Sequence, residues 1–195
     1  MRLLPIAVAL ASVLAVTACQ KSEPAPAADP APMATDPAAP PAAPVEVARA
    51  ELKPTEGNQV QGQISFTVVD GTLRASGHIS GLKPGSEHGF HIHETGDCSA
   101  PDGSSAGGHF NPTASEHGNV SAAAHHGGDM PNLVADEQGM VHVDGPVSSN
   151  VNAGSGDSND IIGRGLIVHA DPDDYASQPT GNAGARLACA VISAP

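Results

Sequence analysis

The sequence has no tryptophan, one tyrosine and three phenylalanines in 195 residues. Its core must be assembled from Val, Ile, Leu and Ala, so an added covalent or metal restraint would be useful to it. Positive charge is equally scarce: 8 Lys and Arg stand against 21 Asp and Glu, for a net charge of −13. A chain this acidic lacks the basic footprint that nucleic acid requires of a partner. Long hydrophobic runs are missing too. The stretch from Leu3 to Val16 is broken by Pro5 and falls short of the roughly 20 residues that a membrane-spanning helix needs.

That stretch reads instead as a secretory signal peptide over residues 1–18, with Arg2 before the apolar run and small residues after it. The end of it, Val16-Thr17-Ala18-Cys19, resembles a bacterial lipoprotein signal. In such signals cleavage precedes the cysteine, whose thiol carries a diacylglyceryl group. The expectation is a protein anchored by Cys19 on the periplasmic side of a bacterial membrane. Gln20, where an aspartate would favour inner-membrane retention, points to the outer membrane if the cell is Gram-negative.

Residues 19–44 follow as a Pro/Ala-rich tether, with eight prolines between 20 and 44 and Met33 as the only large apolar residue. Such a segment cannot bury enough surface to offset its chain entropy and is expected to be disordered. What remains, 45–195, is one domain's worth of chain, with 18 acidic and 6 basic residues. Of the three cysteines, Cys98 and Cys189 are left once Cys19 is assigned to lipid. An even pair in an exported chain is expected to form a disulfide, with two free buried thiols as the alternative. Closing a loop of roughly 90 residues is worth on the order of 4 kcal/mol in the chain-entropy picture.

From Val45 onward the pattern is short strands with turn punctuation and no helical period. Residues 46–52 and 59–69 alternate apolar with polar or small residues, as half-buried strands do. Asp70-Gly71 then predicts a two-residue hairpin into TLRASGHI, and GLKPGS at 81–86 suits a type II turn centred on Pro84-Gly85. GFHIHE is the next strand, followed by a loop beyond 30 residues, a length that in a compact domain is usually functional. Strand pattern returns at 132–135 and 140–143, with a hairpin expected between them, then at 161–169 and in RLACAVIS; 145–160 and 170–185 read as loops. About eight mostly antiparallel strands make an all-β sandwich or flattened barrel.

Histidine is the residue present in excess. Of ten, six fall between His91 and His126. His91 and His93 are two apart on a strand, so both leave the same face. His109 and His117 sit in the long loop, and His126 and Asp129 follow in His-Gly-Gly-Asp. Three imidazoles and a carboxylate suit tetrahedral zinc. His169 ends a distant strand from which it could return as a further ligand. These seven donors are one too few for two separate four-coordinate ions, so a histidine serving both through its two ring nitrogens is the economical arrangement.

GFHIHE, GDC, GGHFNP, HGGD, IIGRGLIVHADPDD and GNAGARLACAVI occur in that order from about Val45 to Ala194. In these motifs the chain resembles the Cu/Zn superoxide dismutases. The resemblance implies an eight-stranded Greek-key β-barrel with two long functional loops, an architecture grouped with the sandwiches. It implies about one copper and one zinc per chain. His91, His93, His109 and His169 match the copper ligands; His109, His117, His126 and Asp129 match the zinc ligands, with His109 the bridge. Cys98 and Cys189 match the intrachain disulfide. Arg186 matches the arginine that draws the anionic substrate to copper, and Asp173 the carboxylate that joins a copper-site to a zinc-site histidine. His125 reads as a weaker zinc candidate than His126, His88 as a structural hydrogen-bonding residue, and His78 and His142 as strand-surface residues.

The implied activity is disproportionation of superoxide to dioxygen and hydrogen peroxide, with Arg186 and His109 as the catalytic side chains. The stretch between His169 and Arg186 holds no lysine, which leaves Arg186 to guide the substrate nearly alone. The Cys98–His109 loop is longer than in the typical eukaryotic form; a homodimer is compatible with the resemblance, but that loop puts the usual dimer surface in doubt. Two other classes stay open: an extracytoplasmic copper- and zinc-binding module without efficient turnover, and a zinc hydrolase. A metal store has no need of Arg186, and the hydrolase would need a general base that the sequence does not offer.

Overall fold

Asp70 and Gly71 both adopt positive φ, 50° and 78°, as a type I′ turn requires. They join β2 (Gln61–Val69) to β3 (Thr72–Ser80) in an unbroken antiparallel ladder from Val69↔Thr72 to Gln61↔Ser80. The computed structural model describes residues 44–195; the signal peptide, Cys19 and all but the last residue of the tether lie outside the described residues.

Among the described residues, β1 (Val45–Pro54), β2, β3, β5 (Phe90–His93), β7 (Val141–Pro146), β8 (Gly165–His169) and β9 (Arg186–Val191) form one sheet. Its order is β5-β8-β9-β1-β2-β3-β7. All its neighbours are antiparallel. The chain leaves β3 for β5 at the far edge, returns to lay β7 beside β3, and goes back to β8 beside β5. These crossings are Greek-key connections. Two short strands, β4 (Glu87–His88) and β6 (Leu133–Val134), pair separately. The architecture is all-β, as the strand pattern led one to expect, and its connections are those of the Greek-key barrel that the family resemblance implies.

Three local expectations are corrected. The turn Asp136–Gly139 exists, with Gly139 N–H donating to Asp136 O at 3.1 Å. It does not make a hairpin, because β6 pairs with β4 and β7 with β3. The strand expected from 161 begins only at Gly165, because Ile161–Arg164 form a turn in which Arg164 N–H donates to Ile161 O at 3.0 Å and Gly163 has φ 83°. The strand expected from 59 begins at Gln61. The type II turn reading agrees with Ser86 N–H donating to Lys83 O at 3.1 Å and φ 71° at Gly85.

Strand alternation decides where the core sits. Ile64 and Phe66 of β2, Leu73, Ala75 and Ile79 of β3, Leu166 and Val168 of β8 and Phe90 and Ile92 of β5 point into one buried cluster. Each large side chain so buried contributes about 1.5–3 kcal/mol. The intervening residues of β5 and β8 (His91, His93, Ile167, His169) are buried as well. They lie on the sheet's other face, so something must cover them. The cover is the long loop after β5.

Candidate metal centre

The loop is fastened to the free edge of β5 by backbone hydrogen bonds. Ile92 N–H donates to Gly128 O at 2.9 Å, Phe110 N–H to Ile92 O at 2.9 Å and Glu94 N–H to Gly108 O at 2.9 Å. Isolated bridges then set His109 opposite His93 and Asp129 opposite His91. Gly128 permits this approach, since a Cβ there would strike Ile92 O. The Cys98–Cys189 disulfide, with Cα atoms 5.8 Å apart, ties the start of the loop to β9.

Two sets of donors result. The ligand atoms of His91, His93, His109 and His169 lie within 4.8 Å of one another, and so do those of His109, His117, His126 and Asp129. All are buried, and His109 belongs to both. Outer partners decide which nitrogen of each ring faces inward, as they do in metal sites generally. His91 Nε2 reaches Asp173 Oδ2 at 2.8 Å, His93 Nδ1 reaches Gly107 O at 2.9 Å and His169 Nδ1 reaches Gly184 O at 3.3 Å. Left facing inward are His91 Nδ1, His93 Nε2, His109 Nε2 and His169 Nε2. In the second set His109 Nδ1 and His117 Nδ1 both stand 2.9 Å from Asp129 Oδ1, and His126 Nδ1 is 3.5 Å from His109 Nδ1.

The donors fit metal ions. His91 Nδ1 and His109 Nε2 are buried with no hydrogen-bond partner, an arrangement that costs about 1–3 kcal/mol per group unless a cation satisfies it. His93 Nε2 and His169 Nε2 face each other at 3.3 Å. Because the other nitrogen of each ring is directed at a carbonyl, the two inward lone pairs repel until a cation lies between them. Imidazoles alone in the first set and three imidazoles with a carboxylate in the second are donor types for copper and zinc respectively.

The electrostatics differ between the sets. Burial, helped by the neighbouring imidazoles, pushes His109 down to about 4 and His169 down to about 3, and holds His93 well below its usual value. These rings are neutral at pH 7 and offer lone pairs. Burial would also lower His117, but Asp129 and Asp173 outweigh it and raise that ring to about 9. Burial would raise both carboxyls, yet hydrogen bonds from the histidines hold Asp129 and Asp173 well below the ordinary range.

Asp173 lies between the sets, with Oδ2 on His91 Nε2 at 2.8 Å and Oδ1 on His117 Nε2 at 2.9 Å. Residues without a signal in the sequence hold it there. Asn132 clamps the Asp173 backbone from both sides, accepting from its N–H at 3.0 Å and donating to its carbonyl at 2.9 Å. Asn132 N–H in turn donates to the Tyr175 hydroxyl at 2.8 Å. Gln178 clamps the His117 backbone in the same manner, at 2.9 Å each way. Gly181 is bare for a reason, because a Cβ there would overlap Asp173 Oδ1 and lie 2.7 Å from His117 Nε2. Gly181→Ala should therefore displace Asp173. Since loss of such an outer partner costs roughly 10–100-fold in metal affinity, the variant is expected to retain less of both ions after dialysis, read by elemental analysis; unchanged retention would show that Asp173 is not needed to orient the rings.

Arg186 is the Cα partner of His169 across β8 and β9. Its guanidinium forks onto the loop, Nη1–H donating to Gly103 O and Nη2–H to Gly107 O, each at 2.6 Å. Gly107 O also pairs with His93 Nδ1, which places the guanidinium beside the first set, and its charge contributes to the lowering of both His93 and His169. The other histidines stand apart from the donor sets. His125 is engaged by Ala122 O at 2.8 Å and Ser148 Oγ at 2.9 Å. His88 reaches His169 O at 2.8 Å and Ser86 Oγ at 2.6 Å. His78 and His142 are exposed on β3 and β7.

Comparison with known proteins gives concordant matches. The family described as copper/zinc superoxide dismutase matches residues 60–192. Cu-Zn superoxide dismutase 2 of Aquifex aeolicus is 41% identical over 148 residues, covering 74% of this chain and 85% of that protein. Among solved structures, the clock protein EA4 superposes with a TM-score of 0.67 at 39% identity over 77% of this chain and 95% of that one. A SOD-like protein from Bacillus subtilis gives 0.67 at 37% identity, over 76% and 99%.

Proposed function

Because the chain belongs to the copper/zinc superoxide dismutase family, an oxidoreductase family that uses copper and zinc on superoxide, we propose how its own residues divide that work. His91, His93, His109 and His169 hold copper; His109, His117, His126 and Asp129 hold zinc; and His109 bridges the two. The observation that carries this is the His109 ring, with Nε2 buried and unpartnered on one side and Nδ1 turned to Asp129 and His126 on the other. When bound, copper supplies a one-electron couple that oxidises one superoxide to dioxygen and reduces a second towards hydrogen peroxide, while zinc supplies a redox-silent cation.

Arg186 draws in the anion and orients it, its guanidinium being fixed by the carbonyls of Gly103 and Gly107. A fixed cation in a cleft concentrates an anionic substrate even on a protein of opposite net charge. Two superoxides need two protons to leave as dioxygen and hydrogen peroxide. His109 Nε2 would hold one of these only while that atom is not serving as a copper donor, and the other would come from solvent. Asp173 keeps His91 and His117 from turning while the proton moves.

A binding module without turnover is the competing reading, and a guanidinium held beside the first donor set on Gly107 O, the carbonyl that also orients His93, argues against it. Elemental analysis of the purified chain together with superoxide consumption separates the two. About one copper and one zinc per chain with rapid consumption supports the enzyme; both ions with no consumption would support the module.

Zinc uptake should be coupled to a proton. In the metal-free protein His117, raised to about 9, holds a proton at pH 7 that the ion must displace from Nδ1. Zinc affinity is thus expected to rise from pH 7 to about pH 9 and level off above it, with about one proton released per ion at neutral pH. Calorimetry in buffers of different ionisation enthalpy reads that proton directly, and release of none would contradict the assignment of His117.

Residues 1–18 and Cys19 support export and lipid anchoring on the periplasmic side of a bacterial membrane, with 19–44 as the tether. Cys19→Ser is expected to move the protein from the membrane to the soluble fraction of fractionated cells. A variant that stays with the membrane would mean that something other than this cysteine holds it.

A further inference from the structure

Of the ten histidines in the chain, six are in the two donor sets and His88 and His125 are buried among hydrogen-bond partners of their own. The remaining two, His78 and His142, are 64 residues apart in sequence yet are Cα partners across β3 and β7. Both are exposed, their ring centroids are 4.8 Å apart, and their Nδ1 atoms are 3.3 Å apart. Two metal–nitrogen bonds of about 2.0–2.1 Å at a tetrahedral angle span about 3.3–3.4 Å. The rings are thus already at chelating distance.

From this geometry we propose that His78 and His142 form a third, surface site for a zinc(II)-type transition ion, separate from the buried pair and sharing no donor with it. The backbone holds the two Cα positions opposite each other, since β3 and β7 pair continuously from Ile79↔Val141 to Arg74↔Pro146. Only side-chain rotamer freedom is left to lose when an ion binds. Two imidazoles select zinc(II) or copper(II) over magnesium or calcium, which prefer oxygen. Asp144, on the same face of β7 as His142 and bonded to Arg74 at 2.8 Å, adds a carboxylate beside the site. Solvent completes the coordination, so the ion is exchangeable, unlike one sealed under the long loop. The same two rings without an ion make an ordinary imidazole–imidazole hydrogen bond.

The experiment is titration of the full chain, already loaded with one copper and one zinc, with Zn(II) alone, followed by calorimetry. One additional equivalent is expected. His142→Gln and His78→Gln, which act from different strands, should each weaken that event at least tenfold while copper and zinc content and superoxide consumption stay unchanged. No third equivalent in the unaltered chain overturns the proposal and leaves the pair as a hydrogen bond. A third equivalent that persists at full strength in both variants overturns it too, by placing the ion elsewhere.

Discussion

His109→Ala is expected to empty both sites at once and abolish superoxide consumption. The ring supplies Nε2 to one donor set and Nδ1 to the other, so alanine removes a quarter of the donors around each ion. Loss of a hydrogen-bond partner behind a ligand already costs roughly 10–100-fold in affinity, and loss of the ligand itself should exceed that at both positions. The contrast is with His126→Ala, which touches only the second set and should spare copper. Metal content of the two variants, measured after the same dialysis, gives the comparison. Loss of a single ion from His109→Ala would mean that the ring is not shared. The fold should survive the change, because the ring lies outside the main apolar cluster and the Cys98–Cys189 bond closes a span of 91 residues, a restraint worth on the order of 4–5 kcal/mol.

Arg186→Ala should do the reverse, leaving both ions in place and slowing turnover. No ligand atom is removed, but the cation beside His93 and His169 disappears. Field focusing by such a charge raises association by roughly 10- to 1,000-fold, and with no lysine between His169 and Arg186 a fall of about 10- to 100-fold in kcat/KM is expected. Arg186→Lys is the informative partner. An ammonium keeps the charge but cannot make both bonds to Gly103 O and Gly107 O, so it should recover only part of the rate. Full recovery would show that charge alone matters and that the fork is incidental. Unchanged rates in both variants would remove Arg186 from the mechanism.

The parts of the site legible in the sequence are those that follow from period and residue type. His91 and His93 alternate with Phe90 and Ile92, so one face is imidazole and the other core, and the two-residue period says so directly. Asp70-Gly71 marks its turn because few residue pairs accept positive φ twice. What the sequence hides are backbone contacts, which carry no residue-type signature. The bonds from Ile92 to Gly128 and from Phe110 to Ile92 close the long loop over His91 and His93, and nothing in the composition of that loop announces them. The same is true of the clamps. Asn132 and Gln178 hold Asp173 and His117 by their main chains, from loops more than 40 residues away. The β6–β7 hairpin that the sequence suggests does not form for a related reason: a good turn at Asp136–Gly139 does not decide which strands pair beyond it. His78 and His142 are legible as surface residues, and only the β3–β7 register makes them neighbours.

The sharing of His109 between two ions is the centre of this account, and spin coupling tests it most directly. With Cu(II) placed in both donor sets, two unpaired electrons joined through one imidazole ring interact, whereas ions held by separate ligands do not. With a shared His109, the electron paramagnetic resonance intensity per copper, close to full when only the first set is loaded, is expected to collapse when the second is filled. Two independent signals at full combined intensity would contradict it.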